Sequence, residues 1–116
     1  MIVYIAGPMT GLPEHNYPAF LAAEDALRDA GYVVLNPVDS ERDSPTPGTP
    51  QSWDWYMRAA IGMVIAADGI ALLPGWEWSR GARPEVTVAH ALGMKAMPLN
   101  LWLDAAKVRE AAGGAS

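Results

Sequence analysis

MIVYIAGPMTGLPEHNYPAFLAAEDALRDAGYVVLN, residues 1–36, is the stretch that decides the fold. Ile2-Val3-Tyr4-Ile5-Ala6 is an unbroken apolar run rich in β-branched side chains and closed by Gly7-Pro8, which reads as a buried strand entering a loop. From Pro18 to Ala30 the apolar positions Phe20, Ala23, Leu27 and Ala30 recur at helical spacing. Glu24, Asp25, Arg28 and Asp29 fall on the opposite face, and Gly31 supplies a C-terminal stop. Tyr32-Val33-Val34-Leu35-Asn36 is a second buried strand, so the segment is a β-α-β unit whose crossover is expected to be right-handed.

The same alternation continues downstream. Residues 37–50 hold four prolines among Ser, Thr, Asp and Gly, and read as a long Pro-rich loop. Ser52 is placed to cap a helix over Trp53 to Ala67, whose Trp53, Tyr56, Met57, Ala60, Ile61, Val64 and Ile65 form one broad apolar face for packing on the sheet. Gly69 to Leu73 is a third strand, Pro84 to Leu92 a helix with proline in its first turn and Gly93 at its end, and Lys95 to Leu99 a fourth strand. Asp104 to Glu110 forms a short helix before a flexible tail at 112–116. The fold class is therefore α/β: a small three-layer sandwich, flavodoxin-like or Rossmann-like, with a mostly parallel sheet of four or five strands in one domain spanning 1–116. Ligands of such sheets bind outside the carboxyl ends of the strands, which directs attention to the loops after Ala6, Asn36, Leu73 and Leu99.

Composition narrows the function. The chain has 116 residues, too few for two independent cores, and no cysteine, which removes disulfides, thiolate nucleophiles and Cys-type zinc sites and makes the cytoplasm the expected compartment. A net charge of −5 is the wrong sign for gripping a nucleic-acid backbone, so duplex DNA or RNA is not an expected partner. No apolar run approaches the roughly 20 residues needed to cross a bilayer. Five Trp and six Met are a large apolar load for so short a chain, which leads us to expect self-association.

Two loops carry the candidate chemistry. Gly7-Pro8-Met9-Thr10-Gly11 follows the first strand, where small residues either turn the chain or let backbone N–H groups approach a phosphate or sugar. The spacing is neither that of a P-loop nor G-x-G-x-x-G, which argues against ATP hydrolysis and dinucleotide binding. Leu73-Pro74-Gly75-Trp76-Glu77-Trp78-Ser79-Arg80-Gly81-Ala82-Arg83-Pro84-Glu85 runs from a strand end through a Gly- and Trp-rich loop to a carboxylate in the first turn of a helix. The positive end of that helix should keep Glu85 ionised, either to complement the dipole or to serve as a nucleophile. Asp68 reads as a turn residue, His90 points away from position 85, and His15 lies in the first loop where it can meet a ligand. No His-carboxylate cluster has metal spacing, so neither metal nor cofactor is expected.

Together, YIAGPMTG, Asn16, Phe20, LLPGWEWSRGARPE and VAHALG resemble a family of short phage and bacterial proteins within the nucleoside 2-deoxyribosyltransferase superfamily, which includes the 2'-deoxynucleoside 5'-phosphate N-hydrolases. The resemblance runs from Met1 to about Leu99. It implies an N-glycosidase acting on a nucleoside or nucleoside 5'-monophosphate, by hydrolysis or base transfer, with Glu85 as nucleophile and Tyr4 orienting it. Ser79 stands where the monophosphate hydrolases have a phosphate-binding serine, and with Gly7, Thr10, Gly81 and Arg80 or Arg83 it implies a phosphate cradle. Pro8, Met9, Gly11, Asn16 and Trp76 complete the implied substrate site, Asn16 touching the sugar or pinning the first loop. The superfamily's oligomers imply that Asn100 and the Trp102 region help complete a neighbour's site, in the host cytoplasm if the chain is phage-encoded.

One departure stands out. Both catalytic branches carry an aspartate that assists base departure where this chain has Ala60, an assistance commonly worth a factor of about 10² to 10⁴. Either another acid, Asp54 or Glu77, replaces it, or the protein is a nucleotide-binding module without efficient turnover.

Overall fold

The computed structural model of the protein describes residues 1–42 and 51–113. Most of the expected Pro-rich loop 37–50 and the end of the tail therefore lie outside the described residues. Four parallel strands, β1 (Ile2–Ala6), β2 (Val33–Leu35), β3 (Gly69–Leu72) and β4 (Lys95–Pro98), form one sheet in the order β2-β1-β3-β4. Among the described residues there is no fifth strand. Among the same residues five helices accompany them: α1 (Tyr17–Asp29), α2 (Asp39–Arg42), α3 (Trp53–Ala66), α4 (Ala82–Ala91) and α5 (Leu99–Gly113). Three-residue to four-residue 3-10 turns precede α1 (Pro13–Asn16) and α4 (Trp76–Trp78).

The central strands read as continuous apolar runs because both faces are covered. Val3, Ile5, Ala71 and Leu73 point to a layer containing Phe20, Ala23 and Leu27 of α1 with Trp102 and Ala106 of α5. Tyr4, Ala6, Ile70 and Leu72 point the other way, against Ala60 and Val64 of α3 and Ala82, Val86 and Ala89 of α4. The chain moves from β1 to β2 in one direction along the sheet and from β2 to β3 and β4 in the other. Helices on opposite faces give these crossovers a single hand. The reversal of direction falls between β1 and β3, which opens a crevice at their carboxyl ends.

Local contacts explain the boundaries. Asp68, at the turn before β3, accepts the Ile2 N–H through its carboxylate at 2.7 Å while its own N–H bonds the Ile2 carbonyl at 2.7 Å, fixing the register of β1 and β3. Ser52 accepts the Trp55 N–H through Oγ at 3.1 Å and caps α3. Two expectations need correction. The segment after Asn36 does not start as an open loop: Asn36, itself buried, accepts the Val38 N–H through its side chain at 3.1 Å and the Asp39 N–H through its carbonyl, and this turn launches α2.

The C-terminal region also differs. Instead of a loop after Leu99 and a short helix at 104–110, α5 begins directly at Leu99. Trp102 is buried in its own core, not presented to a neighbour. Its indole N–H donates to the Ile70 carbonyl at 2.7 Å, its ring meets Tyr32 edge-on at 5.7 Å between centroids, and its own carbonyl accepts the Tyr32 hydroxyl at 2.7 Å. The ring fills space over β3 that exists only because residue 69 has no side chain, a Cβ there lying 2.6 Å from Cζ2 of the indole. Asn100 is exposed at the start of α5. No helix among the described residues is long and apolar enough to cross a membrane.

Candidate active site

The crevice at the switch point is a cavity of about 520 Å³. In each β-α-β crossover the helix runs back against the strands, so the first turns of α3 and α4 stand at the carboxyl edge where the sheet has ended. The apolar stripe of α3 therefore divides. Ala60 and Val64 pack on strands, whereas Trp53, Tyr56 and Met57, one and two turns earlier, face the cavity together with Ala60. Ile65, assigned by periodicity to the same face, is 63% exposed.

At the cavity floor the Tyr4 hydroxyl of β1 donates to Oε2 of Glu85 in α4 at 2.5 Å. Tyr4 is fully buried and Glu85 only 5% exposed. Among the described residues that line the cavity, none is Lys or Arg, and the hydrogen bond from Tyr4 is the one favourable interaction set against the burial of this carboxyl group. Burial pushes Glu85 up from 4.5 to about 7, against the opposing pull of the Tyr4 hydrogen bond. Burial and the neighbouring carboxylate in turn raise Tyr4 well above the ordinary phenol range. This corrects the expectation that the helix end keeps Glu85 fully ionised: Glu85 sits past the first three residues of α4, its amide already turned to the Gly81 carbonyl at 3.5 Å, and desolvation dominates.

The two loops that frame the floor touch through their backbones. The Leu73 N–H extends the ladder to the Ala6 carbonyl at 2.9 Å, and a Cβ on Gly7 would lie 2.8 Å from that of Leu73. Gly7 thus serves a close approach as well as lining the cavity. Ser79 bridges the loops, its hydroxyl lying 3.5 Å from the Gly7 carbonyl while Oγ accepts the Ala82 N–H at 3.1 Å. Its carbonyl accepts the Arg83 N–H at 3.2 Å, so the hydrogen bonding of α4 begins at Ser79. Replacing Ser79 by Ala is expected to lower stability by about 1 kcal/mol, the usual effect of losing a side-chain acceptor for an N–H at a helix start, measurable by urea unfolding.

Of the residues singled out in the sequence, Tyr4, Gly7, Met9, Thr10, Ser79, Gly81 and Glu85 line this one cavity. Pro8 and Arg80 line an adjoining hollow of about 250 Å³ with the exposed Trp78, and the two share Met9, Thr10 and Ser79. The Arg80 guanidinium lies 4.0 Å above the Trp53 ring, linking the hollow to the α3 wall. Three residues fall outside. Gly11 is exposed with φ +82°, the turn role left open for it, and Trp76 packs against the α3–α4 layer. Asn16 donates through Nδ2 to the Pro8 carbonyl at 3.0 Å, which pins the first loop. The alternative acids Asp54 and Glu77 are exposed and do not line the cavity.

Tyr17, Phe20, Pro37, Ser40, Tyr56 and Met57 line the cavity and were not among the residues the sequence singled out for the site. The only signal for Tyr56 and Met57 was their place at the sheet-edge end of the α3 stripe. His15 lines the cavity too, from a turn in which Glu14, His15 and Asn16 all have left-handed backbone (φ +53°, +53° and +61°). Three such residues in succession cost about 1–2 kcal/mol each and need support from their surroundings, which the Asn16–Pro8 bond supplies. Among the described residues no three His, Asp or Glu side chains gather into a group able to hold a metal ion.

A solved structure of a 2-deoxyribosyltransferase from the psychrotolerant bacterium Bacillus psychrosaccharolyticus matches with a TM-score of 0.66 and 22% sequence identity, over 84% of this chain and 71% of that one. That likeness shows a shared fold. No curated protein sequence matches the chain. The model of one protein family, described as a domain of unknown function, DUF4406, matches residues 1–98, and the chain belongs to that family.

Proposed function

We propose that the protein is an N-glycosidase that releases the base from a nucleoside or nucleoside 5'-monophosphate. The observation that carries this reading is the buried Tyr4–Glu85 pair on the floor of a cavity at the β1/β3 switch point. Tyr4 holds Oε2 and so fixes the carboxylate plane, leaving Oε1 to form a bond to the anomeric carbon. As that bond forms, the bond from the anomeric carbon to the base nitrogen breaks and its electron pair leaves with the base. Water, or a second base, then takes the sugar from Glu85 and restores the carboxylate. A cavity of about 520 Å³ is within the range for a small-molecule site, and the exposed Trp53 and half-buried Tyr56 on its wall supply aromatic rings for a nucleobase. Fold likeness to a 2-deoxyribosyltransferase supports the same chemistry. In this reading Gly7, Thr10, Ser79 and Gly81 receive the phosphate, with Arg80 of the adjoining hollow as its cation. The exposed Trp78, Ile65 and Val108 support self-association as part of the same proposal.

The test is chromatographic. Purified protein is incubated with deoxynucleoside monophosphates, ribonucleoside monophosphates and free deoxynucleosides, with and without an acceptor base. Release without acceptor is expected and marks a hydrolase; exchange only with acceptor marks a transferase. Because the nucleophile is the ionised carboxylate, the rate should show an acid limb centred near pH 7, rising as Glu85 loses its proton. A second reading, a binding module without efficient turnover, draws on Ala60, which leaves Glu85 as the one carboxylate among the described residues of the cavity wall. Tight nucleotide binding in a calorimetric titration, with no base released after long incubation, would establish it and sink the glycosidase.

A further inference from the structure

Ala60 brings a methyl group to the cavity wall, and both acidic residues considered as replacements, Asp54 and Glu77, lie outside it. A departing base still needs a proton. Besides Glu85, which is committed to the sugar, the described lining offers hydroxyl groups of Tyr, Ser and Thr and one imidazole, that of His15. Of these groups the imidazole is the one whose ordinary proton loss falls near neutral pH, which suits it best to general-acid work; phenols and alcohols ordinarily lose their protons only at about pH 10 or above.

His15 is exposed, and its turn places it on the cavity. Its left-handed backbone is shared with both neighbours, Asn16 ties the turn to the Pro8 carbonyl, and the imidazole stands beside the Tyr17 ring at 5.8 Å between centroids, both residues lining the cavity. Strained turns of this kind persist where they aim a side chain. A helical backbone here would start α1 earlier, and an extended one would turn position 15 elsewhere.

We propose that His15 is the general acid for base departure, in the part left empty by Ala60. This role rests on the glycosidase reading. While Oε1 of Glu85 bonds to the anomeric carbon and the electron pair of the breaking bond passes to a purine, the imidazolium proton passes to N7 of that purine, so a neutral base and a neutral imidazole result. In the second half the neutral imidazole accepts a proton from the water that attacks the anomeric carbon, Glu85 departs as carboxylate, and the imidazolium is restored.

The test compares two leaving groups, 2'-deoxyguanosine 5'-monophosphate and its N7-methyl derivative, whose base is already cationic and departs without a proton. His15→Asn is the matched variant, because asparagine tolerates left-handed backbone and cannot transfer a proton. The ratio of rates, N7-methyl over unmodified, is expected to rise about 10²-fold in His15→Asn relative to wild type. A ratio is insensitive to partial loss of folded protein. An unchanged ratio, with both rates lowered together or neither lowered, would overturn the assignment and leave His15 a packing or binding residue. Wild-type protein that releases no base from this pair or from any substrate of the wider panel would overturn the glycosidase reading itself, and this role with it.

Discussion

Glu85→Gln is expected to abolish base release and, at pH 8, to make the protein more stable than the wild type. The loss of rate should be about 10⁴-fold or more, the scale on which removal of a covalent nucleophile acts. The amide keeps an oxygen for the Tyr4 hydroxyl and the volume of the side chain, so the cavity floor stays filled. The gain in stability follows from linkage. The carboxyl group of Glu85 titrates at about 7 in the folded protein against 4.5 ordinarily, so the native state binds the proton more tightly than the unfolded chain. Wild-type stability is then fully present below about 4.5, falls between 4.5 and about 7, and stays lower above that range. At about 1.4 kcal/mol per pH unit the difference reaches up to about 3 kcal/mol, which glutamine, having no proton to lose, does not give up. Thermal unfolding at pH 8 should place the variant on the order of 10 °C above the wild type, and the two curves should converge near pH 4. A variant less stable at pH 8 would mean that the ionised carboxylate is stabilised by its surroundings, contrary to the burial described above.

Trp102→Ala is expected to destabilise the protein by about 3–5 kcal/mol, the range for truncating a fully buried large aromatic. Three losses coincide: the ring leaves a cavity over Gly69, the Ile70 carbonyl loses its indole donor, and Tyr32 loses its edge-on partner. Urea unfolding measures the effect, and near-UV circular dichroism should lose its signal from the packed indole. Trp102→Phe should recover part of the packing and none of the hydrogen bond. A cost below about 1 kcal/mol for the alanine variant would show that α5 adds little to the sheet, against the geometry of its contacts.

Much of this was legible in the residues. The runs at 2–6 and 69–72 are apolar without alternation because both sheet faces are covered, and the pattern of Phe20, Ala23 and Leu27 marks α1 as the cover of one face. The resemblance implies a pairing of Tyr4 with Glu85, and the two side chains do share a hydrogen bond. What local pattern could not give was long-range. The ring of Trp102 answers a missing side chain at Gly69, 33 positions earlier, a fit that no local pattern shows, so the expectation placed its region at a neighbour's site instead. The helix-end rule for Glu85 was sound locally, but the charge state depends on what the sheet and α3 remove from around it. The α3 stripe has one periodicity and two environments, and only the end of the sheet divides Met57 from Val64. His15 was recognised as able to meet a ligand, yet nothing in Pro-Glu-His-Asn announces a left-handed turn.

The glycine under the Trp102 ring has a consequence for how this family varies. The family match ends at residue 98, just before the helix that supplies the ring. A missing side chain at position 69 and an aromatic after β4 are two halves of one fit, and neither is advantageous alone. Relatives whose chains continue differently after β4 should carry a larger residue at the position of Gly69, while those that keep the glycine should present a flat ring to it, so the two positions are expected to change together as a pair.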